Sequence, residues 1–401
     1  MTDPSGSAAR RQAVLLRMGK DDDLGQSGPD RAFAHRMYRE AVVWRSRLDH
    51  SLAAASDRGL GSLDGEMLAC LRIGAVQLLV LGVRPHAAVS ATVAVLRDRR
   101  RRGYANAVLR RLASGGEAGG APAHVRWSHP PGLASRWADR YGDEAAAALM
   151  EWNNSVPGLG VWTLPGSGPP RGEPGRWAES WTAIPREDLA DVLTSGLHFV
   201  QDEAAALVGS SVASMPGRTV LETGCAPGGK TVHIQGPGRF TVAVDSSCRR
   251  LAKWAENSVR YGFSGCSPAA AEGERLPFRD NSFDLVLLDA PCTGTGVYRR
   301  RFDARWNWSP GLLAGCTETQ RRLLDGAAAA VRPGGCLVYS TCSLEPEENG
   351  CQVEAFEERH PEFGRMAFPA PAQLVTEGLL SIFPPEHGMD GMFAAAWKRT
   401  E

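Results

Sequence analysis

The feature that most restricts the fold lies in the second half of the chain. Four short apolar runs, at residues 219–222, 240–245, 284–289 and 336–340, close on Glu222, Asp245, Asp289 and Ser340 and alternate with stretches of helical spacing. Strands separated by helix-length connections do not pair as hairpins, and the alternation predicts a parallel α/β sheet. In such a sheet helices cover both faces, and a ligand binds beyond the carboxyl ends of the strands, where loops and helix N-termini converge. The acids fall there, and so do two cysteines, Cys292 just after Asp289 and Cys342 just after Ser340.

A chain of 401 residues has room for two or three cores. Between residues 30 and 113 apolar side chains recur at helical spacing, as in Leu71, Ala75 and Leu78 or Val89, Val93 and Leu96, which predicts an all-helical domain over residues 1–115. The segment from Gly115 to Pro122 is Gly-rich, lacks a hydrophobic period and reads as a flexible linker. Residues 125–200 hold a helical run at 133–152 and a Pro- and Gly-dense stretch at 165–175, which fits a small α+β module, and the α/β domain takes residues 201–401. No internal repeat points to a solenoid.

The longest apolar stretch, residues 73–83, is interrupted by Gly74, Gln77 and Gly82 and falls well short of the roughly 20 residues of a membrane span. The polar start, from Met1 to Gly6, and the brief apolar run at 13–16 do not resemble a signal peptide, so a monomer in the cytoplasm is expected. Nine cysteines without a Cys-x-x-Cys pair read as thiols in a reducing compartment. The one close histidine pair, His124 and His129, lacks ligand spacing, and no metal is expected. Lys+Arg and Asp+Glu balance at 45 each, so any nucleic-acid contact must come from local patches. One patch runs from Arg97 to Arg102 and on to Arg110 and Arg111; another is Arg299, Arg300 and Arg301, with Arg305 and Trp306 close behind.

The first strand of the α/β region leads through Glu222-Thr223-Gly224-Cys225-Ala226-Pro227-Gly228-Gly229-Lys230-Thr231 into a helix, with glycines where backbone must approach a ligand closely. The same residues fit the phosphate-loop pattern G-x-x-x-x-G-K-[ST], so a P-loop NTPase is the rival reading. Three features oppose it. Pro227 removes an N–H from the loop whose amides should cradle phosphate. Asp245 ends the next strand, where an acid would hold the ribose hydroxyls of an adenosine cofactor. Asp289 is followed by Ala290-Pro291-Cys292, and a magnesium site has no use for that thiol.

The motifs Gly224-Cys-Ala-Pro-Gly-Gly-Lys-Thr231, Asp289-Ala-Pro-Cys-Thr-Gly-Thr-Gly296 and Thr341-Cys-Ser-Leu-Glu-Pro-Glu-Glu-Asn349 resemble the motif set of the NOL/NOP/Sun RNA cytosine-5 methyltransferases. The segments from Arg84 to Val93 and from Tyr104 to Arg111 resemble the NusB-like domain of its RsmB (Sun) branch, so the resemblance covers nearly the whole chain. It implies a Rossmann-like methyltransferase domain behind a helical RNA-binding domain, S-adenosylmethionine as cofactor and small-subunit (16S) rRNA as substrate. It also implies that Gly224, Cys225, Ala226, Pro227, Gly228, Gly229 and Lys230 hold the methionine part of the cofactor and Asp245 the ribose. Glu272 stands where the family usually has an adenine-contacting Asp, with Glu274 an equally near acid; Asp289 also borders the cofactor. The family's usual Asp-x-Cys-Ala-Ala-Pro appears here as Glu222-Thr-Gly-Cys-Ala-Pro, a departure at positions that mainly need to be small. A third reading, an RNA-binding assembly factor with a silent site, is opposed by the intact Cys342 and Asp289.

The chemistry accounts for two thiols and an acid. Carbon 5 of cytosine is too weak a nucleophile to take a methyl group from a sulfonium until a nucleophile adds at carbon 6, and a thiolate suits that addition. A carboxyl group near N3 can stabilise the density pushed onto the ring, the role expected of Asp289. Pro-Cys after an acid-terminated strand is also where DNA cytosine-5 methyltransferases carry their nucleophile, so Cys292 alone would be ambiguous. The resemblance assigns attack to Cys342 and leaves Cys292 to assist removal of the carbon-5 proton, directly or through a water. Cys70, Cys248, Cys266, Cys316, Cys336 and Cys351 lack such a context. The base must leave its stack to reach a buried thiol, with Arg299, Arg300 and Arg301 near enough to grip flanking phosphates. The run from His387 to Phe393 leads into residues 393–397 and reads as a final hairpin turning at Asp390-Gly391.

Overall fold

The computed structural model describes residues 7–19 and 28–400; the polar start of the chain, Met1 to Gly6, lies outside the described residues. The chain divides into two compact units, Met1–Ser155 with Phe302–Trp306, and Val156–Arg301 with Asn307–Glu401.

The first unit is helical. Asp64 and Asp98, one residue ahead of helices Gly65–Leu79 and Arg99–Gly115, accept hydrogen bonds from Met67 N (2.9 Å) and Arg101 N (2.9 Å) and satisfy N–H groups that the first turns leave open. Of the positions that carried the helical period, Leu71, Ala75, Val89 and Leu96 are buried in one cluster, and Leu78 and Val93 pack against it partly buried. The Gly-rich segment after residue 115 is not a free linker. Glu117 pairs with Arg47, Ala118 N donates to Ser51 Oγ (3.2 Å) and Gly119 O meets His50 Nε2 at 3.3 Å, so it is bound along helix Arg45–Ala55. Residues 125–200, expected as one module, contribute to both units: helices Pro131–Tyr141 and Asp143–Asn154 to the first, the strands that follow to the second. Both arginine patches are partly occupied by intramolecular partners. Arg101 pairs with Asp64 and Glu66, and Arg111 with Asp57. Arg305 and Trp306 are no surface patch. Arg305 is fully buried, donating to Asn154 Oδ1 (2.6 Å) and Asn153 O (2.8 Å), and Trp306 Nε1 donates to Val42 O (2.9 Å).

The second unit is built on a large mixed sheet. We label the strands β1 (Leu159–Thr163), β2 (Glu173–Pro174), β3 (Trp181–Ile184), β4 (His198–Val200), β5 (Thr219–Thr223), β6 (Phe240–Asp245), β7 (Cys266–Ala270), β8 (Phe283–Asp289), β9 (Val331–Thr341), β10 (Phe363–Met366), β11 (Val375–Thr376), β12 (Leu379–Ser381) and β13 (Phe393–Arg399). β1–β4 form an antiparallel sheet in the order β2-β3-β1-β4; the large sheet runs β11-β12-β13-β9-β8-β5-β6-β7, with β10 on β13. β5 to β9 are parallel, as the four apolar runs predicted, and both faces are covered: Val220, Leu285, Leu287 and Val338 lie in one core cluster, while Leu221, Val286, Leu288 and Leu337 lie in the other. This is why the runs are continuously apolar rather than alternating.

Two features differ from the sequence reading. β7 escaped notice because it is an edge strand with an exposed Ser267-Pro268 and no apolar run to mark it. Asp390-Gly391 is not a hairpin turn. β13 pairs with β12 and β9, and Gly391 presses on the loop after β8, donating to Gly296 O (2.8 Å); a Cβ there would lie 2.8 Å from Gly296 Cα.

Replacing Arg305 with Ala leaves Asn153 and Asn154 short of buried donors, and should lower unfolding stability by about 3 kcal/mol in a denaturant titration. A change below about 0.5 kcal/mol would mean that those bonds contribute nothing.

Candidate active site

The chain enters the parallel sheet at β5, moves outward through β6 and β7, then returns to the other side of β5 with β8 and β9. The crevice of such a sheet opens where the strand order reverses, between β5 and β8. A cavity of about 530 Å³ lies there, beyond the carboxyl ends of the strands, and Gly224, Asp245, Glu272, Asp289, Cys292 and Cys342 all line it.

One half has the shape of a nucleoside site. Gly224 has φ +76°, and a Cβ at this position would sit 2.3 Å from the Asp289 carbonyl oxygen, so glycine is required by conformation and by close approach. Asp245 is buried; Oδ1 accepts from Ser247 N (2.8 Å) and from Arg250 (2.8 Å), while Oδ2 has no protein partner. A buried oxygen without a donor fits a ribose hydroxyl. Glu272 and Glu274 both reach the cavity, but Glu274 pairs with Arg322 at 3.0 Å, which leaves Glu272 less encumbered. Of the loop residues, Gly224, Ala226 and Lys230 border the cavity. Cys225 instead packs with Ala243 and Trp254, Pro227 O accepts from Asn257 Nδ2 (2.8 Å), a Cβ on Gly228 would meet the Phe263 ring, and Gly229 lies near Phe199 and Gln201.

The same loop is a poor phosphate cradle. Gly224 N and Cys225 N both donate to Val244 O, Gly228 N donates to Cys225 O, and Pro227 has no N–H. Thr231, which a phosphate loop would turn toward magnesium, is buried, donating to Glu222 Oε2 (2.6 Å) and accepting from Trp254 Nε1 (2.9 Å). Among the described residues no group of three His, Cys, Asp or Glu side chains could hold a metal ion.

The other half brings the reactive groups together. Cys292 Sγ and Cys342 Sγ are 3.3 Å apart, both as free thiols. The hydrogen bond from Cys292 pulls the Cys342 thiol below the ordinary range; burial and Asp289 oppose it, and Lys230 and Arg301 support it. Cys292 is pushed well above that range by the bond to Cys342, by burial, and by the charges of Cys342 and Glu348. Both shifts run the same way: of the two sulfurs, Cys342 is the one that ionises more readily and Cys292 the one that keeps its proton. Lys230 Nζ donates to Asp289 Oδ2 at 2.5 Å and Ser340 Oγ to Oδ1 at 2.9 Å. Burial works against the Lys230 charge, but Asp289, Glu222 and the Cys342 thiolate outweigh it and raise its pKa. Of the arginines after β8, Arg300 bridges Asp202 and Asp390 (2.6 Å each) and Arg299 donates to Val156 O (3.0 Å). Arg301 lines the cavity and pairs with no carboxylate among the described residues.

Sequence reasoning passed over Glu348 and Ser340. Glu348 is fully buried and accepts from Thr293 N (2.8 Å), Gln320 Nε2 (3.0 Å) and the hydroxyls of Thr293 and Ser343. Its signal was available: Glu345, Glu347 and Glu348 stand together just after Cys342 in the Thr341–Asn349 motif.

A parallel sheet with a glycine turn after β5 and a buried acid ending β6 fits an adenosine cofactor, and the likeness to known proteins makes the chain an S-adenosylmethionine-dependent methyltransferase. The family model described as 16S rRNA methyltransferase RsmB/F matches residues 211–398, and the NusB family model matches residues 4–114. A putative methyltransferase of Mycobacterium tuberculosis is 34% identical over 94% of this chain and 90% of its own. Ribosomal RNA small subunit methyltransferase B of Vibrio cholerae is 33% identical over 80% and 79%. The crystal structure of PH0851 has the same fold, with a TM-score of 0.82 at 21% identity over 100% of this chain and 99% of that one. The chain belongs to the RsmB/F family of 16S rRNA methyltransferases, with an N-terminal NusB domain. No helix among the described residues is long and apolar enough to cross a membrane.

Two predictions follow from these contacts. Burial pushes the Glu222 carboxyl from 4.5 up to about 8, against the Thr231 bond and the Lys230 charge. The folded chain then keeps a proton that the unfolded chain releases, so stability falls as pH rises through that window. Relative to Glu222→Gln, the wild type should lose up to about 1.4 kcal/mol per pH unit between pH 5 and 8 in denaturant titrations; parallel curves would contradict this. Asp245→Ala should weaken adenosylmethionine binding about 10- to 100-fold by calorimetry, and unchanged affinity would remove Asp245 from the site.

Proposed function

We propose that the protein transfers a methyl group from S-adenosylmethionine to carbon 5 of a cytosine in small-subunit rRNA, through a transient bond between Cys342 and carbon 6. The observation that carries this reading is the 3.3 Å contact between two sulfurs of opposite protonation preference, beside the Lys230–Asp289 pair. The rRNA substrate comes from the family and from what its curated relatives are named for.

The cofactor supplies an electrophilic methyl group; Gly224, Ala226, Asp245 and Glu272 line the space that would hold it. Cys342, the more readily ionised of the two thiols, adds to carbon 6 as its thiolate. Density moves onto carbon 5 and N3, where Asp289 hydrogen-bonds or delivers a proton, with the Lys230 ammonium as the attached proton source. Once its sulfur is bonded to carbon 6, Cys342 no longer carries the charge and the acceptor lone pair that hold the Cys292 proton in place. Cys292 can then lose its proton to solvent and take the carbon-5 proton, directly or through a water; the electron pair of that C–H bond restores the double bond between carbons 5 and 6, Cys342 leaves as a thiolate, and N3 returns its proton to Asp289. Arg301, which lines the cavity, can meet a phosphate next to an extruded nucleotide.

With tritiated cofactor and small-subunit rRNA, label should appear on carbon 5 of cytosine, and its absence with active protein on both naked and partly assembled RNA would sink the reading. Cys292→Ala should accumulate a covalent protein–RNA adduct visible on denaturing gels, whereas Cys342→Ala should form none. The reversed pattern would exchange the roles of the two cysteines.

A further inference from the structure

Thr293 directly follows Cys292, and Ser343 directly follows Cys342. Both residues donate to one carboxylate, that of Glu348: Thr293 through its N–H (2.8 Å) and its hydroxyl, Ser343 through its hydroxyl. Gln320 Nε2 adds a fourth side-chain or amide group at 3.0 Å and also donates to Pro291 O (2.9 Å), the residue before Cys292. Glu348 is held in turn, its carbonyl accepting from Tyr339 OH (2.7 Å). Its neighbour Asn349 accepts from Thr341 Oγ1 (2.7 Å) and donates to Ser343 O (2.8 Å), which fixes both sides of Cys342.

We propose that Glu348 is the positioning residue of the cysteine pair: one buried carboxylate ties together the residues that follow each cysteine, and so sets the sulfur–sulfur contact and keeps the shared proton on Cys292. The inference rests on the reading of Cys342 as the nucleophile. Glu348 touches neither sulfur, so its action is through geometry and field. The direction of the field is clear from the surrounding groups. Lys230 and Arg301 lie on the Cys342 side and favour its thiolate, against Asp289. On the Cys292 side the charge is Glu348, which disfavours a thiolate there and also raises Tyr339 and Cys316, both held up chiefly by burial. In a glutamine the amide oxygen can still accept from Thr293 N and Gln320, while the –NH2 in the place of Oε2 donates to the Thr293 and Ser343 hydroxyls instead of accepting from them, so the contacts persist and the charge is lost.

The test is the site and pH dependence of alkylation by iodoacetamide, read by peptide mass spectrometry on the full-length protein, with adenosylmethionine binding measured alongside. Wild type should label at Cys342 first. Glu348→Gln should raise labelling of Cys292 relative to Cys342 by about tenfold, with unchanged cofactor affinity, because the charge that disfavours a thiolate on Cys292 is removed. Glu348→Asp keeps the charge but draws it back by one methylene; it should shift the ratio the same way by a smaller factor, and serves if the glutamine variant does not fold. Selective Cys342 labelling with a wild-type pH profile in both variants would overturn the proposal. First labelling of wild type at Cys292 would overturn the nucleophile assignment itself, and with it the inference.

Discussion

The site depends on the hydrogen-bonded register between β8 and β9. Asp289 pairs across from Ser340 and accepts its hydroxyl, and Ala290 N donates to Ser340 O. With that register both strands end level, and the loops that leave them set Cys292 and Cys342 side by side. A slip by one residue would turn Asp289 to the opposite face and take its carboxylate away from Lys230. β5, on the other flank of β8, contributes the loop that delivers Lys230 from the far side. Three adjacent parallel strands thus bring Lys230, Asp289 and Cys342 to one cavity although they lie far apart in the sequence.

Burial makes this arrangement effective and also hazardous. Charges removed from water must be matched locally. Lys230 is matched by Asp289, Asp289 additionally by Ser340, and Glu348 by four donors. Arg300 joins Asp202, at the start of helix Glu203–Ser214, to Asp390 in the loop before β13, so this arginine is a brace and not a grip. The low dielectric that punishes an unpaired group also strengthens the sulfur–sulfur hydrogen bond that lowers the Cys342 pKa.

Much of this was legible in the sequence where the local signal and the global requirement coincide. Strands buried on both faces read as unbroken apolar runs, and β5, β6, β8 and β9 were marked within a few residues of their ends. Gly224 was legible because no other residue fits its backbone. β7 was not, since an edge strand needs no apolar face. The two roles of basic residues, surface contact and internal bond, look alike in one dimension, and only packing revealed Arg305 as buried and Arg300 as paired. Asp390-Gly391 carries a turn's residues but serves a close approach to Gly296, a long-range contact that no local pattern encodes. Glu348 sat in full view among acids, and its meaning lies in partners 55 and 5 residues away.

The central claim is that Cys342 forms the bond to carbon 6. Small-subunit rRNA in which the target cytosine carries fluorine at carbon 5 offers the most direct test, because fluorine cannot be removed as a proton and the adduct persists after methyl transfer. Proteolysis and mass spectrometry of the complex should place the modified nucleotide on the peptide that contains Cys342. A nucleotide found on the Cys292 peptide would contradict the account, as would methylated product released with no adduct at either cysteine.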